Sequence, residues 1–231
     1  TGGGRPMSSN AALKSVETAT GSSTSELRRL SSFLEISQTL AAATNQKSAM
    51  HQVLGILERH HGAVRSTIAL LSQAEGQIEV AASEGPAGGK ADVKFRLGEG
   101  ITGRVVQSSK PVVVPRVSRE PMFLRRTSER PELATHELSY VCVPILLNRR
   151  AVGAIGVDLR FNPDRDYDRY VKFLGIVASS IAAAVKIQRL VEEDKKRLVD
   201  ENTHLRQELK ERYDFSSIIG TSGPVRQMYE Q

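Results

Sequence analysis

The sequence has almost no cysteine and no tryptophan. Its 231 residues include one cysteine, Cys142, and five histidines. A single thiol cannot form a disulfide within the chain, and the histidines are scattered without the spacing of metal ligands. Cys142 lies inside the apolar run YVCVPILL, where we expect a small buried core residue. The sequence therefore predicts no metal site and no internal disulfide.

Long hydrophobic runs are also missing. No apolar run reaches the roughly 18 to 20 residues that cross a bilayer, and the N-terminus lacks the apolar segment of a signal peptide. We therefore expect a cytoplasmic protein that makes no membrane contact.

Positive charge is in excess, but it is not concentrated. The net charge of +6 is spread along the chain, and no stripe of Lys and Arg alternates with aromatic residues. Nucleic-acid surfaces usually combine such a stripe with stacking aromatic rings. We therefore expect that these residues do not bind DNA.

Familiar catalytic motifs are missing as well. The sequence contains no G-x-S-x-G elbow, no H-E-x-x-H and no phosphate-binding loop of the G-x-x-x-x-G-K-[ST] type. The stretch GEGITG, residues 98–103, matches G-x-G-x-x-G, but the strand before it alternates polar and apolar residues. The first strand of a dinucleotide-binding unit is continuously apolar. We interpret these glycines as a tight strand-to-helix turn beside a pocket. We expect no catalytic residue and no enzyme activity.

The first part of the chain predicts a tail and two helices. Residues 1–24 are rich in Gly, Ser, Thr and Ala, which predicts a flexible N-terminal tail. Thr24 is suited to cap a helix whose apolar residues recur at helical spacing at Leu27, Leu30, Leu34 and Ala41. A second helix is predicted from Lys47 to about His61, with Met50, Val53, Leu54 and Leu57 on one face.

The middle of the chain predicts antiparallel strands. Hydrophobic alternation predicts strands at 63–71, 76–82, 92–97 and 110–115, and a hairpin in which LSYVCVPILL and AVGAIGVDL flank NRR. In the strand at 92–97, we expect Val93, Phe95 and Leu97 to point inward. A helix is predicted near Ile101, and a long polar region covers residues 116–137. Strands joined by hairpins, with helices before, between and after them, predict an α+β fold with an antiparallel sheet.

A long helix is predicted from Tyr167 for about 46 residues. Its heptad pattern around LVDENTHLRQEL surrounds one asparagine with leucines, an arrangement that selects a parallel, in-register pair of helices. The residues of this predicted dimer linker are Val191, Leu198, Asn202, Leu205 and Leu209. The alternative is a solvated charged helix that contacts nothing.

The order of these elements resembles a GAF domain. The motifs that carry the resemblance are RLGEGITGRVVQSSKPVVVPRVS, VCVPILLNRRAVGAIGVDL and FLGIVASSIAAAVKIQRL. The resemblance implies a GAF sensory domain at 25–185, with a six-stranded antiparallel sheet and flanking helices, followed by a helical coiled-coil linker at 186–213. It also implies a ligand pocket on one face of the sheet, covered by the segment between the central strands.

Two further stretches resemble sigma-54-dependent transcriptional activators. Residues 214–231 are similar to the start of their AAA-plus domain, with Val225 where the family usually has Met. Residues 96–126 are similar to the NifA-like, Nif-specific members and their alternative-nitrogenase relatives. The resemblance implies a sensor domain that controls a downstream AAA-plus ATPase in the transcription of nitrogen fixation genes. It also implies that the full-length protein binds sigma-54 RNA polymerase and DNA, but not through these residues.

A ligand site is predicted around the arginine-rich segment between the central strands. The candidate ligand-binding residues are Arg96, Glu99, Arg116, Arg119, Glu120, Arg125 and Arg126. Guanidinium groups pair with carboxylates, so that the candidate effector is a small molecule such as 2-oxoglutarate, and no cofactor is expected. Two alternatives stand beside it. The arginines are solvated or pair with Glu120, Glu129 and Glu132, or the same surface docks a PII-type nitrogen signal protein onto a homodimer.

Overall fold

The computed structural model describes residues 26–72, 76–85, 94–120 and 136–221, with side chains as far as residue 212. The predicted tail at 1–24, the predicted cap Thr24 and the candidate ligand-binding residues Arg125 and Arg126 lie outside these residues.

Two helices open the fold. Helix α1 covers residues 26–41 and helix α2 covers Gln46–His61. The side chain of Asn45 caps α2 by accepting a hydrogen bond from the Ser48 backbone N–H at 3.1 Å, and Gly62 ends the helix in the left-handed conformation. The predicted apolar face of α2 is confirmed, since Met50, Val53, Leu54 and Leu57 are buried.

Helix α1 buries a different face from the one that its leucines suggest. Ser32 and Ile36 are buried, whereas the leucines are 58% to 67% exposed, namely Leu27, Leu30 and Leu34. The Ser32 hydroxyl donates to the Arg28 carbonyl at 2.7 Å, so that its burial leaves no unpaired polar atom. The helix prediction is confirmed, and the leucine stripe faces outward.

Helix α1 is also held by charged contacts with its neighbours. The Glu35 carboxylate pairs with Arg59 and His60 of α2, each at 3.2 Å.

His61, the last residue of α2, packs against a later helix: its ring lies 4.3 Å from the Phe173 ring, between centroids. Burial, and secondarily Arg29, lowers the pKa of His61 to about 4. Because the unfolded chain binds this proton more tightly, the contribution of His61 to stability decreases as pH falls from about 6.5 toward 4.

Six strands form one antiparallel sheet in the order β3-β2-β1-β6-β5-β4. The strands are β1 (Ala63–Leu71), β2 (Ile78–Glu84), β3 (Lys94–Phe95), β4 (Val112–Val114), β5 (Leu138–Leu147) and β6 (Arg150–Arg160). Helix α3 (Gly100–Ser108) separates β3 from β4, and a 3-10 turn (Val117–Arg119) follows β4. The predicted α+β fold with a six-stranded antiparallel sheet is therefore confirmed.

Strands β2, β3 and β4 differ from their predicted bounds, and β4 is shorter than predicted, covering Val112–Val114. Strand β2 begins at Ile78, two residues later than predicted, because Gly76 has a positive φ of 64° and belongs to a turn. Leu97 was predicted to point inward, but it is 48% exposed because the chain leaves the sheet after Phe95. Val93 lies outside the described residues.

Each face of the sheet packs against its own helices. One face packs on α1, α2 and the long helix α4 (Tyr167–Thr221) in the larger apolar cluster. The opposite face, which we call the α3 face, packs on Val105 and Val106 of α3 in a smaller cluster. The β5–β6 hairpin contributes to both clusters, so that its strands are buried on both faces.

Helix α4 begins at Tyr167, as predicted, and continues to Thr221. The chain divides into two compact units between Val185 and Lys186, the position at which the sequence predicted the end of the sensory domain. The helix continues beyond residue 214, where the start of a further domain was predicted, and that domain boundary stays a prediction.

One window of α4 has the length and composition of a membrane span, although the sequence shows no unbroken apolar run. Its mean hydropathy is 1.6, and 44% of the window is buried inside the protein. The buried side chains include Leu174, Val177 and Ile181, which belong to the larger apolar cluster. Because the core helix of a soluble domain has the same composition, these contacts explain the apolar window without a membrane.

The glycines of GEGITG form the tight turn that the sequence predicted. Gly98 and Gly100 have positive φ angles of 80° and 61°, which disfavour side chains. Gly103 packs so closely on the turn that a Cβ atom there would clash with the carbonyl oxygen of Arg96. The close approach of α3 to this turn therefore depends on Gly103.

We predict that Gly103→Ala lowers the free energy of unfolding by about 1 to 3 kcal/mol, because the backbone must shift to admit the methyl group. Gly175→Ala is the matched control, since Gly175 lies inside α4, in its third turn, and a Cβ atom there meets no atom within 4 Å. That control should gain about 0.5 to 1 kcal/mol from helix propensity. Chemical denaturation measures both, and equal stability of the two variants would contradict the packing argument.

Candidate functional site

The α3 face carries the candidate site, and most of this face is apolar. Helix α3 supplies Val105 and Val106, and the sheet supplies small and branched side chains beneath them. The buried members from the strands are Ala69, Ile78, Val114, Leu138, Tyr140, Cys142 and Ala154. This packing forms an apolar surface, within which polar side chains are unusual.

A row of three polar side chains crosses the middle of this face. In the strand register, Asp158 of β6 lies directly opposite Tyr140 of β5 on one side and Arg65 of β1 on the other. Directly paired residues in an antiparallel sheet point to the same face, with Cβ atoms about 4.5 to 5.5 Å apart. Since Tyr140 belongs to the α3-face cluster, all three lie on that face. We call these three residues the polar row.

The polar row is buried at its centre. Asp158 is 2% exposed and Tyr140 is 8% exposed, whereas Arg65 is half-buried. A carboxylate in such a place is costly unless it is paired or hydrogen-bonded. The burial of Asp158 therefore marks a position where the fold retains a polar side chain in an apolar setting.

A β-bulge adjoins the polar row. The register between β1 and β6 shifts between Ala63 and Arg65, so that Val64 is an extra residue in β1. Bulges change the direction of side chains and are frequent beside functional sites. This bulge places Arg65, and not Val64, opposite Asp158.

A second row of smaller groups lies next to the polar row. The Thr67 and Ser83 hydroxyl oxygens are 3.4 Å apart across β1 and β2. Gly156, paired with Thr67, lies beneath the Tyr140 hydroxyl, and any side chain at Gly156 would displace it. Hydroxyl groups both donate and accept hydrogen bonds, so that this part of the face can bind a polar ligand group of either kind.

Cys142 lies on the same face and is fully buried. Burial raises the pKa of its thiol to about 12, against a smaller opposite effect of a hydrogen bond with Tyr140. Only a thiolate is a strong nucleophile or metal ligand. Cys142 is therefore a structural residue, as the sequence predicted.

Hydrogen bonds close the base of the connection between β4 and β5. The Ser118 backbone N–H and hydroxyl donate to the Glu137 carboxylate at 3.2 and 2.6 Å. The hydroxyl bond is the main cause that lowers the pKa of Glu137. These two residues stand on either side of the stretch 121–135, so that the chain before it is tied to the chain after it.

The chain segments on either side of this connection are also hydrogen-bonded to each other and to the first residue of α4. The Ser139 hydroxyl donates to the Pro115 carbonyl at 2.8 Å and lies 2.8 Å from the Tyr167 hydroxyl. Because Ser139 has a single hydroxyl proton, Tyr167 is the donor in the second bond. Ser139 is completely buried, so that these bonds are shielded from water. We call this contact the Ser139–Tyr167 junction.

The predicted ligand residues that the structure describes are in several different settings. Arg96 and Glu99 are brought together, because the Glu99 carboxylate accepts the Arg96 backbone N–H at 2.9 Å in the turn before α3. The Arg116 guanidinium lies 4.5 Å above the Phe161 ring. The remaining two described residues are exposed Arg119 and half-buried Glu120. Their role as ligand residues stays a prediction.

Sequence reasoning missed the polar row. The available signal was a charged or hydroxylated residue inside an otherwise apolar strand, as in AVRSTIALL, LSYVCVPILL and AVGAIGVDL. That signal shows which residues are unusual, but the cross-strand register decides that they meet.

The linker residues lie on the later part of α4, where the described side chains from residue 190 to 212 are all exposed. Val191, Leu198, Leu205 and Leu209 are 50% to 60% exposed, and Asn202 is also exposed. Val191, Leu198 and Asn202 line one shallow groove along the helix. An apolar helix face in water usually packs against another surface.

This geometry defines the class of protein. It is an antiparallel α+β domain with helices behind its sheet and a partly polar site in front. The family described as "GAF domain" matches residues 43–186. The chain therefore belongs to the GAF domain family.

The chain is also similar to curated nitrogen fixation proteins, among them Nif-specific regulatory proteins. It is 30% identical over 200 residues to a Nif-specific regulatory protein of Herbaspirillum seropedicae, covering 85% of this chain and 36% of that protein. It is 33% identical over 198 residues to the nitrogen fixation protein VnfA of Azotobacter vinelandii, covering 85% of this chain and 38% of that protein. The chain thus spans less than two fifths of the length of these relatives.

Solved structures show the same fold. The GAF domain of A. aeolicus Nlh2, crystallised in an inactive state, has a TM-score of 0.64 at 24% identity, covering 71% of this chain and 99% of that chain. A free methionine-R-sulfoxide reductase from Neisseria meningitidis has a TM-score of 0.60 at 19% identity, covering 73% of this chain and 93% of that chain. At these identities the likeness establishes the fold alone, and the fold occurs in enzymes as well as in other proteins.

We predict that Cys142 does not react with a thiol reagent in the folded protein at pH 8, because its thiol remains protonated and buried. In denaturant the pKa returns toward about 8.5 and the thiol should react fully. Mass spectrometry after iodoacetamide treatment, with and without denaturant, measures the difference. Rapid labelling of the folded protein would show that the α3 face opens to solvent.

Proposed function

We propose that this chain is the regulatory sensor domain of a cytoplasmic, sigma-54-dependent activator of nitrogen fixation genes. It controls a downstream AAA-plus ATPase through a dimeric helical linker. Support comes from the GAF family match and from the Nif-specific regulators that align with 85% of the chain. In the full-length protein, other domains bind sigma-54 RNA polymerase and DNA.

The Ser139–Tyr167 junction is the observation that carries this proposal. It connects the base of the β4–β5 connection with the first residue of α4, and α4 continues without a break to Thr221. A ligand or partner that repositions the connection can therefore change the packing of the helix that leaves the domain. Such coupling is a population shift between two arrangements, driven by different affinities for them.

Dimerisation supplies the second part of the scheme. The exposed leucines of the linker surround Asn202, and an asparagine at such a position favours parallel pairing in register. Glu201 and Arg206 occupy positions from which opposite charges attract between two parallel helices. Helix α1 adds an exposed leucine stripe on the sensory unit.

We propose no enzyme activity for this chain. The relatives are regulators, and the one thiol, Cys142, is buried and protonated. The reductase that shares the fold is similar at 19% identity, which transfers no chemistry.

The alternative function is a protein-docking and dimerisation module that responds to a PII-type signal protein without a small-molecule ligand. The observation that favours it is the dense apolar packing of the α3 face, where Ile78, Val105 and Cys142 are completely buried. Such packing leaves less room for a ligand. In both functions the signal leaves the domain through α4.

We predict that Leu198→Asp together with Leu205→Asp converts a dimer into a monomer, because four charges would then meet in the seam of the paired helices. Light scattering measures the mass, and circular dichroism checks that the sensory domain remains folded. A matched control is Thr203→Asp with Gln207→Asp, which adds the same charge at positions that point away from the seam and should leave the dimer intact. An unchanged mass in the leucine variant would remove the coiled-coil claim.

We predict that Ser139→Ala and Tyr167→Phe each lower the free energy of unfolding by about 1 kcal/mol, and that the double variant costs less than the sum because the residues share a bond. In the full-length activator, either change should weaken the dependence of ATPase activity on the regulatory signal.

Ser179→Ala is the control for the junction, since it removes an exposed hydroxyl of α4 that bonds only within the helix, to the Gly175 carbonyl. Additive costs for Ser139→Ala and Tyr167→Phe, together with normal regulation, would show that the junction carries no signal.

A further inference from the structure

We propose that the sensory unit has a dimer contact of its own, in which an apolar face formed by α1 and the first turns of α4 packs against the same face of a second copy of this chain. We call it the α1–α4 face, and its side chains are Leu27, Leu30, Leu34, Ile176 and Ala183. This inference rests on the proposed function and deepens it, because the contact lies apart from the linker residues.

The exposed apolar side chains of this protein are concentrated on two helices. Within the described residues, every large apolar side chain that is exposed lies on α1 or α4, except Leu97 and Leu146. The leucines of the face are 58% to 67% exposed, and Ile176 is 52% exposed. Single exposed apolar residues are normal on a protein surface, whereas a contiguous apolar patch marks an interaction site.

An ion pair shows that the apolar residues of the two helices are neighbours. The Arg169 guanidinium of α4 donates to the Glu26 carboxylate of α1. Leu30 and Leu34 follow Glu26 at intervals of four residues, which places all three on one side of α1. The two α4 residues of the face follow Arg169 at intervals of seven residues, about two helical turns, so that they lie on the same side of α4 as Arg169. The two sets therefore meet along the α1–α4 boundary and form one face.

The opposite sides of both helices are fixed in the core. Ile36 of α1 and Leu174, Val177 and Ile181 of α4 belong to the larger apolar cluster and are completely buried. Neither helix can turn its outer apolar residues inward without exposing these core residues to water. The α1–α4 face therefore needs a covering surface from outside the described domain.

The charges beside the face favour a second copy as that surface. The charged residues on the same sides of the helices are two acids and two bases, namely Glu26, Asp168, Arg169 and Lys172. Because their formal charges cancel, two identical faces do not repel each other, and a strongly charged partner gains little from this surface. In a twofold dimer the same patch of both subunits meets itself, which requires this kind of neutral, apolar surface.

The size of the face explains how it depends on the linker. Up to Val185, the exposed residues of α1 and α4 are fewer than the about 20 on each side that a stable interface takes. The face alone therefore does not hold two copies together, which agrees with the monomer expected for the linker variant. Two chains paired through the linker hold their sensory units at a high effective concentration, so that the faces meet within the dimer. Such a contact can open and close while the chains stay paired, and a signal can shift its population.

Paired leucine variants test the face in the full chain. Leu30→Asp with Leu34→Asp should raise the dissociation constant of the dimer by about tenfold or more, because charges would be buried between the two copies. The control is Leu97→Asp with Leu146→Asp, which adds the same charge at two exposed leucines outside the face and should leave the constant unchanged. Analytical ultracentrifugation over a dilution series measures the constants, and circular dichroism checks that the variants are folded.

A cross-link tests whether the two faces touch. The chain has one cysteine, Cys142, which is buried, so that a cysteine placed on the surface is the one accessible thiol. With a short bismaleimide, Leu30→Cys or Leu34→Cys should give a covalent dimer. Leu146→Cys is the control at a similar exposure outside the face and should remain a single chain.

An unchanged dissociation constant in the Leu30 and Leu34 double variant would overturn the inference, and so would the absence of a covalent dimer. An unchanged constant together with lower thermal stability would indicate that another part of the same chain covers the face. The linker variant separates this inference from the proposed function. If that variant is a monomer while the face variant dimerises normally, the linker dimer stands and the face contact fails. A native chain that is monomeric at every concentration would remove both.

Discussion

Burial of the β5–β6 hairpin on both faces is the constraint on which the rest of the structure depends. Both faces of this apolar hairpin must be covered. Helices α1, α2 and α4 cover one face, and α3 covers the other. The sheet also pairs this hairpin with β1 and β4, so that neither of its strands is an edge. The positions of the helices follow from the need to cover it.

The polar residues of the hairpin gain their significance from this burial. Ser139 and Tyr140 are consecutive, so that they point to opposite faces of β5. Ser139 faces α4 and bonds to Tyr167, while Tyr140 faces α3 beside Asp158. One short piece of strand therefore contacts both the candidate effector site and the helix that leaves the domain. In the proposed sensor function, this strand is the route by which a change on the α3 face would reach α4.

The GAF fold by itself does not assign a role to this chain. It is shared with regulators and with a reductase, because a sheet covered on both faces can host many different sites. The distinguishing features of this chain are particular residues: a protonated buried thiol, a polar row that combines an acid and a base, and a helix that continues to Thr221. The function proposed for the chain is argued from these residues together with the similarity to Nif-specific regulators.

Local pattern was sufficient to predict the hairpin, α2, the tight turn of GEGITG and the start of α4, since each depends on hydrophobic period, capping and glycine within a short window. It did not predict which face of α1 is buried. Ser32 and Ile36 are buried because they face the rest of the domain, and the spacing of the leucines does not show which face that is. Nor did it predict the polar row. Arg65, Tyr140 and Asp158 are distant in sequence, and only the pairing of three strands, with a bulge that shifts the register by one residue, brings them to the same face.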